Sequence, residues 1–356
     1  MRRRRLGIAI ALITTLVVVW FALTRDRETL LARSKPVAST ADWWTQVYTL
    51  PSGEAIDTGP VYQWISPHRL EILVNRQSTP NAITLAVTNR TAPRREHLLL
   101  DLPTGHRFHL SELGRPYSLY GGTPRWINPS PDGKAVRWNA GTQQHVAQMD
   151  GSYHHIWSLD SNLCWLDSGH LSEIGYKDGD TPFAVRIYDI RIPGHPDALI
   201  LPKAALQWSN LRQCGAHLCN FRDNGNTVAI SDVDLSARNF GSRLQEHTHS
   251  VPVPESATVE EIQFSPDGTR VAWLFKRRHD TLIGQLERRV FHRSPPVQET
   301  LELLVSKLDG SQMHLVGWMR YPVERPRPVY RGLKWLPGGR KLSFVYKKQL
   351  WVVPAD

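Results

Sequence analysis

Residues 261–275 read EIQFSPDGTRVAWLF and contain the clearest indication of the fold. Apolar residues alternate with polar ones on both sides of a Ser-Pro-Asp-Gly tetrapeptide, at Phe264 before it and at Val271 and Trp273 after it. A period of two is that of β-strands, whose successive side chains point to opposite faces. Proline presets φ, aspartate bonds nearby backbone and glycine accepts a positive φ, so the tetrapeptide is a turn. The stretch therefore predicts a β-hairpin.

The same unit recurs along the chain, each time with an aromatic residue shortly before the turn. Residues 126–138 (WINPSPDGKAVRW) repeat the tetrapeptide, residues 333–346 carry Leu-Pro-Gly-Gly in its place, and weaker copies lie at 61–74 and 163–176. The aromatic residues are Trp64, Trp126, Trp165, Phe264 and Trp335. Internal repetition of this kind indicates a repeat architecture.

A second signature follows within two of the units. Residues 146–152 (VAQMDGS) and 305–311 (VSKLDGS) place Asp-Gly between apolar runs, which is a strong hairpin signal. The unit that contains 305–311 is longer than the other because of a polar, basic insertion around Lys276–Thr300. Insertions inside repeats usually form surface loops, so we expect a loop there.

Each unit carries about four strands, and a four-stranded sheet cannot bury both faces alone. Several such sheets packed radially can, which predicts an all-β protein, a β-propeller. Five units are visible, and a sixth fits with strands near Leu206–Trp208, His217–Phe221, Thr227–Leu235 and Arg243–Val251. Six blades over residues 42–356 average about 52 residues each, and seven would average about 45. We prefer six, with seven as the alternative.

The last unit shows only three strands before the chain reaches Asp356. We expect Asp42–Leu50 (DWWTQVYTL) to supply the fourth strand and to close the ring. Such closure would remove an exposed sheet edge.

The N-terminal segment has the composition of a membrane anchor. Residues 1–5 contain four arginines, and residues 6–23 (LGIAIALITTLVVVWFAL) contain no charge. As a helix, this 18-residue run is about 27 Å long, close to the hydrocarbon thickness. The uncharged run predicts a transmembrane helix at 6–23, and the arginines predict that the tail at 1–5 stays in the cytoplasm. Residues 24–41 would then form a stalk, and residues 42–356 an extracytoplasmic propeller. The alternative is a cleaved secretory signal peptide.

Composition and charge exclude several other classes. Hydrophobic residues make up 41% and charged residues 21%, which argues against disorder and coiled coil. The net charge is +10, but residues 1–35 hold six of these charges. Because the remaining body is only mildly basic, we expect no nucleic-acid partner.

These units resemble the TolB-like propeller repeats, relatives of the WD-type repeat, over about residues 60–356. The resemblance rests on the aromatic residue before Ser-Pro-Asp-Gly, the hydrophobic strand after it and the later Asp-Gly. The resemblance implies that each unit is a propeller blade, and it does not imply any catalytic activity. Proteins of this family are commonly exported modules that bind other proteins. Related propellers also cover the catalytic domain of prolyl-oligopeptidase-like hydrolases, but no α/β-hydrolase segment follows the last unit here.

The chain lacks the common local motifs of catalysis. It has no G-x-S-x-G elbow, no phosphate-binding loop, no dinucleotide fingerprint and no H-E-x-x-H zinc helix. We therefore assign no catalytic, cofactor-binding or metal-binding residue and expect no cofactor. Cys214 and Cys219 are compatible with a disulfide, with inert thiols or with a metal site shared with His217, and Cys164 stands apart.

Three further groups of residues have two interpretations each, one as a ligand-binding site and one as ordinary structure. His247 and His249 share one face of a predicted strand, as metal ligands or as surface residues. Asp178 and Asp180 flank a glycine, as calcium ligands or as a turn. The basic run Lys276–His279 has two interpretations: it binds anionic lipid or an acidic partner, or it is part of a solvated loop with no ligand.

The sequence favours a non-enzymatic protein-docking module anchored in the cell envelope. A rigid ring that holds many loops suits this role, and the predicted partner is a protein or peptide of the envelope. The alternative is an envelope hydrolase or lyase with its site in the central channel. Converging carboxylates or histidines at one channel mouth would favour the enzyme.

Overall fold

The computed structural model describes residues 29–49, 55–76, 94–109, 112, 125–140, 143–150, 154–158, 163–177, 181–191, 197–200, 212–235, 245–279, 298–320 and 331–356. Within these ranges the chain forms 26 strands and a short helix, α1 (Thr29–Arg33). None of the described helical structure has the length and apolarity that a bilayer crossing requires. The predicted tail at 1–5 and transmembrane helix at 6–23 lie outside the described residues.

Six four-stranded antiparallel sheets are arranged as the blades of a propeller, which confirms the predicted fold and the number of blades. Blades 1 to 3 consist of β4 (Tyr62–Ser66), β5 (Arg69–Arg76), β6 (Arg94–Asp101) and β7 (Arg107–Phe108); β8 (Arg125–Pro129), β9 (Ala135–Ala140), β10 (Gln143–Gln148) and β11 (His154–Ser158); and β12 (Leu163–Trp165), β13 (His170–Lys177), β14 (Thr181–Asp189) and β15 (Asp197–Ile200).

Blades 4 to 6 consist of β16 (Arg212–Cys214), β17 (His217–Asp223), β18 (Thr227–Asp234) and β19 (Glu246–Pro252); β20 (Ala257–Phe264), β21 (Arg270–His279), β22 (Gln298–Lys307) and β23 (His314–Arg320); and β24 (Arg331–Trp335), β25 (Lys341–Tyr346), β26 (Gln349–Pro354) and β1 (Lys35–Ser39). The first strand of each blade lies innermost, since β4 contacts β8 and β20 contacts β24. The first described strand of blade 4 is Arg212–Cys214, and the predicted strand at Leu206–Trp208 lies outside the described residues.

The two Ser-Pro-Asp-Gly turns have the same hydrogen bonds. Ser265 Oγ donates to Asp267 Oδ1 at 2.5 Å, and the same oxygen accepts the backbone N–H of Thr269 at 3.1 Å. Gly268 closes the turn with φ 71°, a conformation that glycine adopts at little cost. In blade 2, Ser130 Oγ donates to Asp132 Oδ1 at 2.7 Å. The tetrapeptide therefore sets the turn in both blades, as predicted.

The aromatic residue before the turn has a fixed place in the ladder, opposite the second residue of the next strand. The pairs are Trp64–Leu70, Trp165–Leu171, Phe264–Val271 and Trp335–Leu342. In blade 2 this place belongs to Pro129, which pairs with Val136. Trp126 precedes the turn, as noted above, but lies three residues earlier in the chain than this position, so it does not share the ladder position of the other four aromatic residues.

The N-terminal part of the described chain closes the ring. Strand β1 pairs antiparallel with β26, with Lys35 opposite Val352 and Ser39 opposite Gln349. The predicted closing strand, Asp42–Leu50, was wrong. Its residues Thr45–Thr49 form β2, which pairs instead with β3 (Ala55–Pro60) in a separate two-stranded sheet.

Helix α1 belongs to the propeller wall and fills the boundary between blades 5 and 6. Leu30 is fully buried there among Val316, Leu333 and Phe344. Gly317 allows the close approach, since a Cβ at that position would lie 2.6 Å from Leu30 Cα. Thr29 Oγ1 accepts the backbone N–H of Trp318 at 3.1 Å. Residues 29–39, which belong to the segment 24–41 that we expected to be a stalk, are therefore part of the propeller.

The core lies between the blades. Five buried apolar clusters each draw residues from neighbouring sheets; one of them joins Ile127, Val136 and Trp138 of blade 2 to Leu99 of blade 1. Burial of apolar surface at these boundaries is the main attraction that holds the blades together.

Candidate functional site

Three of the repeated tryptophans bond to the preceding blade. Trp165 donates its indole N–H to the carbonyl of Asn128 at 2.8 Å, and Trp335 donates to the carbonyl of Gln263 at 3.0 Å. Asn128 and Gln263 hold the same place, two residues before the serine of the turn. Trp64 donates to Ser343 Oγ at 2.8 Å and ties blade 1 to blade 6. The sequence motif thus specifies contacts between blades as well as within them.

A half-buried lysine lies on the innermost strand of blade 6. Lys334 Nζ donates to the backbone carbonyl of Tyr62 in blade 1 at 2.5 Å and lies 4.5 Å from the Tyr62 ring centroid. Burial lowers the pKa of Lys334, and the nearby Glu261 carboxylate opposes this shift. The Tyr62 hydroxyl donates to the carbonyl of Gly332 at 2.8 Å. These bonds join blades 6 and 1 beside the centre of the ring.

Two carboxylates make the corresponding contacts at other boundaries. Glu71 Oε2 in blade 1 accepts the backbone N–H of Ile127 in blade 2 at 2.8 Å, and its other oxygen lies 2.8 Å from His97 Nδ1. Glu261 Oε2 in blade 5 accepts the N–H of Leu333 in blade 6 at 3.3 Å. Lys334, Glu71 and Glu261 each form a hydrogen bond to the backbone of a neighbouring blade, so their role in this structure is to hold adjacent blades together.

The densest group of histidines surrounds Asp232 on blade 4. Asp232 Oδ2 lies 3.5 Å from His217 Nδ1 and 4.0 Å from His247 Nδ1, and Oδ1 lies 3.7 Å from His249 Nε2. Asp232 is 5% exposed, whereas His247 is exposed. We call these four residues the His–Asp cluster. The sequence analysis paired His247 with His249, assigned His217 to a different candidate site with Cys214 and Cys219, and did not identify Asp232, because these residues lie on three different strands.

The surroundings of His217 in the His–Asp cluster favour its protonated form. The Asp232 carboxylate raises the pKa of His217, burial opposes the rise, and Asp234 and Asp267 add to it. The strand register places His217 beside Asp234 and His249 beside Ile230, on opposite flanks of Asp232. Their ring nitrogens therefore approach the carboxylate from two sides. Among the described residues, no set of three or more potential ligands is arranged to hold a metal ion.

A second histidine group, on blade 2, has the opposite electrostatic character. His145 Nδ1 lies 3.0 Å from His154 Nε2, and both rings stack with Trp138, with centroids 5.2 and 5.9 Å away. Burial lowers the pKa of His154 to about 4, with further lowering by His145 and His155. We call Trp138, His145 and His154 the ring stack. It requires neutral imidazoles at neutral pH.

The cysteines are not arranged as a disulfide across β16 and β17. Cys214 lies opposite His217 and Cys219 lies opposite Arg212, so the two cysteines are not paired in register. Cys219 is buried and Cys164 is half-buried, and both are thiols. Because Cys219 is a free cysteine, the disulfide between Cys214 and Cys219 is not formed, and the side chain of Cys214 lies outside the described part of the chain.

The basic run lies in a strand and not in the expected loop. Lys276 Nζ lies 3.0 Å from Glu299 Oε2, and Arg277 Nη1 lies 3.3 Å from Glu302 Oε1 on the neighbouring strand β22. These ion pairs satisfy much of its charge within blade 5. The candidate calcium ligands Asp178 and Asp180 lie outside the described residues.

The chain matches no protein-family model and no curated protein. Similar solved structures include a putative TolB from Agrobacterium tumefaciens, with a TM-score of 0.39, 11% identity and coverage of 88% of this chain and 98% of that one. The WD40 domain of SCAP from fission yeast has a TM-score of 0.38 and 11% identity, with 91% and 98% covered. Kuenenia stuttgartiensis hydrazine synthase has a TM-score of 0.34 and 12% identity, with 79% and 71% covered. These identities and TM-scores are too low to assign an activity to this chain. The assignment of the propeller fold rests on the strand pairing.

Proposed function

We propose that this protein is a membrane-anchored docking module, with its propeller on the extracytoplasmic side and a protein or peptide of the cell envelope as its partner. The observation that carries the proposal is the closed and cross-tied ring. Strand β1 closes blade 6, and indole, lysine and carboxylate bonds join neighbouring blades. A ring held in this way presents its loops at fixed positions, which lowers the entropy cost of binding.

The anchor part of the proposal rests on the 18 uncharged residues at 6–23 and the arginines at 1–5. Alkaline extraction of membranes tests it. Retention of the full chain in the membrane pellet, with an intact N-terminus by mass spectrometry, supports the anchor. Release, or a mature N-terminus beyond residue 23, supports the cleaved signal peptide instead.

The docking part is tested by crosslinking the full chain in its native membrane and identifying what is recovered. A matched control replaces Lys35–Ser39 with a Gly-Ser sequence of equal length, which removes β1 and opens the ring. A docking module should crosslink to a defined protein, and the control should lose that product while remaining in the membrane. Equal recovery with both proteins, or turnover of a small molecule by the intact chain, would contradict docking.

A further inference from the structure

The hairpin turn between β25 and β26 has a backbone conformation that its residues do not favour. Tyr346 pairs with Gln349, so Lys347 and Lys348 form the whole two-residue turn. Their φ angles are 48° and 58°, in the left-handed region that both central residues of a type I′ turn adopt. Asparagine and glycine suit this region, whereas a lysine is strained there. Turn geometry therefore does not account for lysine at either position.

Both lysine side chains of this turn are presented to solvent. Lys347 and Lys348 are exposed, and no carboxylate in the described part of the chain forms an ion pair with either of them. Lys347 Nζ lies 5.4 Å from the ring centroid of Tyr346, which is buried. A cation–π contact of this kind leaves the charge of the ammonium group in place. The turn therefore carries two positive charges that the described residues do not neutralise.

A short loop joins this turn to blade 1. The backbone N–H of Thr40, the residue after β1, donates to the carbonyl of Lys348 at 2.8 Å. The N–H of Trp43 closes a turn by donating to the carbonyl of Thr40 at 3.1 Å, and the N–H of Trp44 donates to the carbonyl of Leu73 on β5 at 2.7 Å. The loop therefore connects the lysine turn of blade 6 to the second strand of blade 1.

Arg95 extends the charged surface on the blade 1 side. It is exposed on β6, and its guanidinium lies 4.0 Å from the ring centroid of Trp44. No described carboxylate forms an ion pair with it. Because residues 40–44 contain a closed turn and span at most about 14 Å, Arg95 and Lys348 belong to one continuous surface. We call Lys347, Lys348 and Arg95 the basic rim.

The acidic residues described nearby leave the charge of the basic rim in place. Asp42 lies on the connecting loop and is paired with Arg107, whose Nη2 donates to Asp42 Oδ1 at 3.1 Å. Asp57 lies on β3, beside the innermost strand β24. The Asp42–Arg107 pair adds no net charge, so the basic rim offers three positive groups to a ligand.

We propose that the basic rim binds an acidic segment of the protein partner; this inference rests on the proposed docking function and specifies the chemistry of the partner. The rigid turn and the Trp44 contact hold the three charges at defined positions, which favours a chain with carboxylates at matching positions. Attraction to lipid headgroups requires only net charge. Strand β1 leads from α1 to Thr40, so the basic rim lies at the end of β1 that is remote from the N-terminal segment.

Peptide binding to the full chain in phosphatidylcholine nanodiscs tests the proposal. The probes are a fluorescein-labelled oligo-glutamate peptide and an oligo-glutamine peptide of equal length, followed by fluorescence anisotropy. The test variant is Lys347→Asn/Lys348→Gly, which removes both charges and supplies the residue pair that a type I′ turn favours, so the hairpin is retained. The control variant is Arg340→Gln/Lys341→Gln, which removes two exposed charges at the opposite end of β25.

We expect the native chain to bind oligo-glutamate and not oligo-glutamine. The test variant and Arg95→Gln should each weaken this binding by at least about fivefold, and the control variant should leave it unchanged. High salt should weaken the binding to the native chain. No binding of oligo-glutamate, or the same affinity in the test and control variants, would overturn the proposal. Lysine-dependent binding to phosphatidylglycerol vesicles without peptide binding would assign the surface to lipid instead.

Crosslinking in the native membrane separates this inference from the docking function itself. If the test variant crosslinks to the same defined protein as the native chain and in equal yield, docking stands and the basic rim is not the surface that carries it. If the native chain gives no defined protein, the docking function is wrong, and this inference is wrong with it.

Discussion

Trp335 donates its indole N–H to the backbone carbonyl of Gln263 at 3.0 Å, across the boundary between blades 6 and 5. The bond connects the aromatic position of one repeat to the first strand of the repeat before it. We expect Trp335→Phe to lower the free energy of unfolding by about 1 to 3 kcal/mol, because it leaves the carbonyl of Gln263 without its donor. Urea denaturation measures this. Trp318→Phe is the control, and its effect should stay within about 0.5 kcal/mol, since the described hydrogen bond of Trp318 uses its backbone N–H.

Leu30 should contribute to stability as a core residue, although it lies in a segment that the sequence presents as a stalk. It is 0% exposed between blades 5 and 6, so Leu30→Ala should cost about 2 to 5 kcal/mol through lost contacts and a cavity. Leu315→Ala, at a site 48% exposed, should cost less than about 0.5 kcal/mol. Similar unfolding midpoints for the two variants would contradict the docking of α1.

Gly317 should tolerate no side chain. An added Cβ would lie 2.6 Å from Leu30 Cα and 2.8 Å from Leu30 N, so Gly317→Ala must displace the backbone of α1. We expect a loss of about 1 to 3 kcal/mol in thermal or urea unfolding. Gly169→Ala is the control because the nearest atom, Asp167 Oδ1, would lie 3.8 Å from the new Cβ. If both substitutions are neutral, the helix is not packed against β23.

The ring stack should make the protein less stable in acid. Burial lowers the pKa of His154 to about 4, below the value of about 6.5 in the unfolded chain. The unfolded state therefore binds more protons between these values, and the stability that this histidine contributes above pH 6.5 is lost as the pH falls toward 4. His154→Gln should make the urea midpoint fall less steeply over this window. His68→Gln, at an exposed turn, should leave the slope unchanged.

The His–Asp cluster should make the protein more stable in mild acid than at alkaline pH, which is the opposite of the effect of the ring stack. The carboxylate of Asp232 raises the pKa of His217 above its unfolded value, so the folded state binds the proton more tightly. The resulting stability is fully present below about pH 6.5 and is lost as the pH rises through the raised pKa. His217→Gln should therefore destabilise the protein more at pH 5.5 than at pH 8. His247→Gln should have a smaller effect, because its ring lies 4.0 Å from Asp232 and is more exposed. An equal loss at both pH values would contradict the ion pair.

The repeated hairpins could be predicted from sequence because their signals are local. Alternation of side chains and the backbone preferences of Pro, Asp and Gly act over about ten residues, so the strands around Asp132 and Asp267 were predicted correctly. The number of blades followed from counting these units. The aromatic residues near the turns could be identified from the sequence, but only the strand pairing shows that Pro129, and not Trp126, holds the ladder position that the other four share.

From the residues alone, a propeller built of hairpins could be predicted, with six blades preferred over seven, since each hairpin is specified by residues that are neighbours in the chain. The strand that closes the ring and the side chains that meet across it depend on packing between distant parts of the chain. Residues 35–39 and residues 45–49 both form strands. Residues 35–39 pair with β26 because the burial of Leu30 beside Gly317 places them next to it. His217 and Asp232 are far apart in the chain and come together only through strand register. Contacts of this kind depend on long-range packing, which leaves no local pattern in the residues that make them.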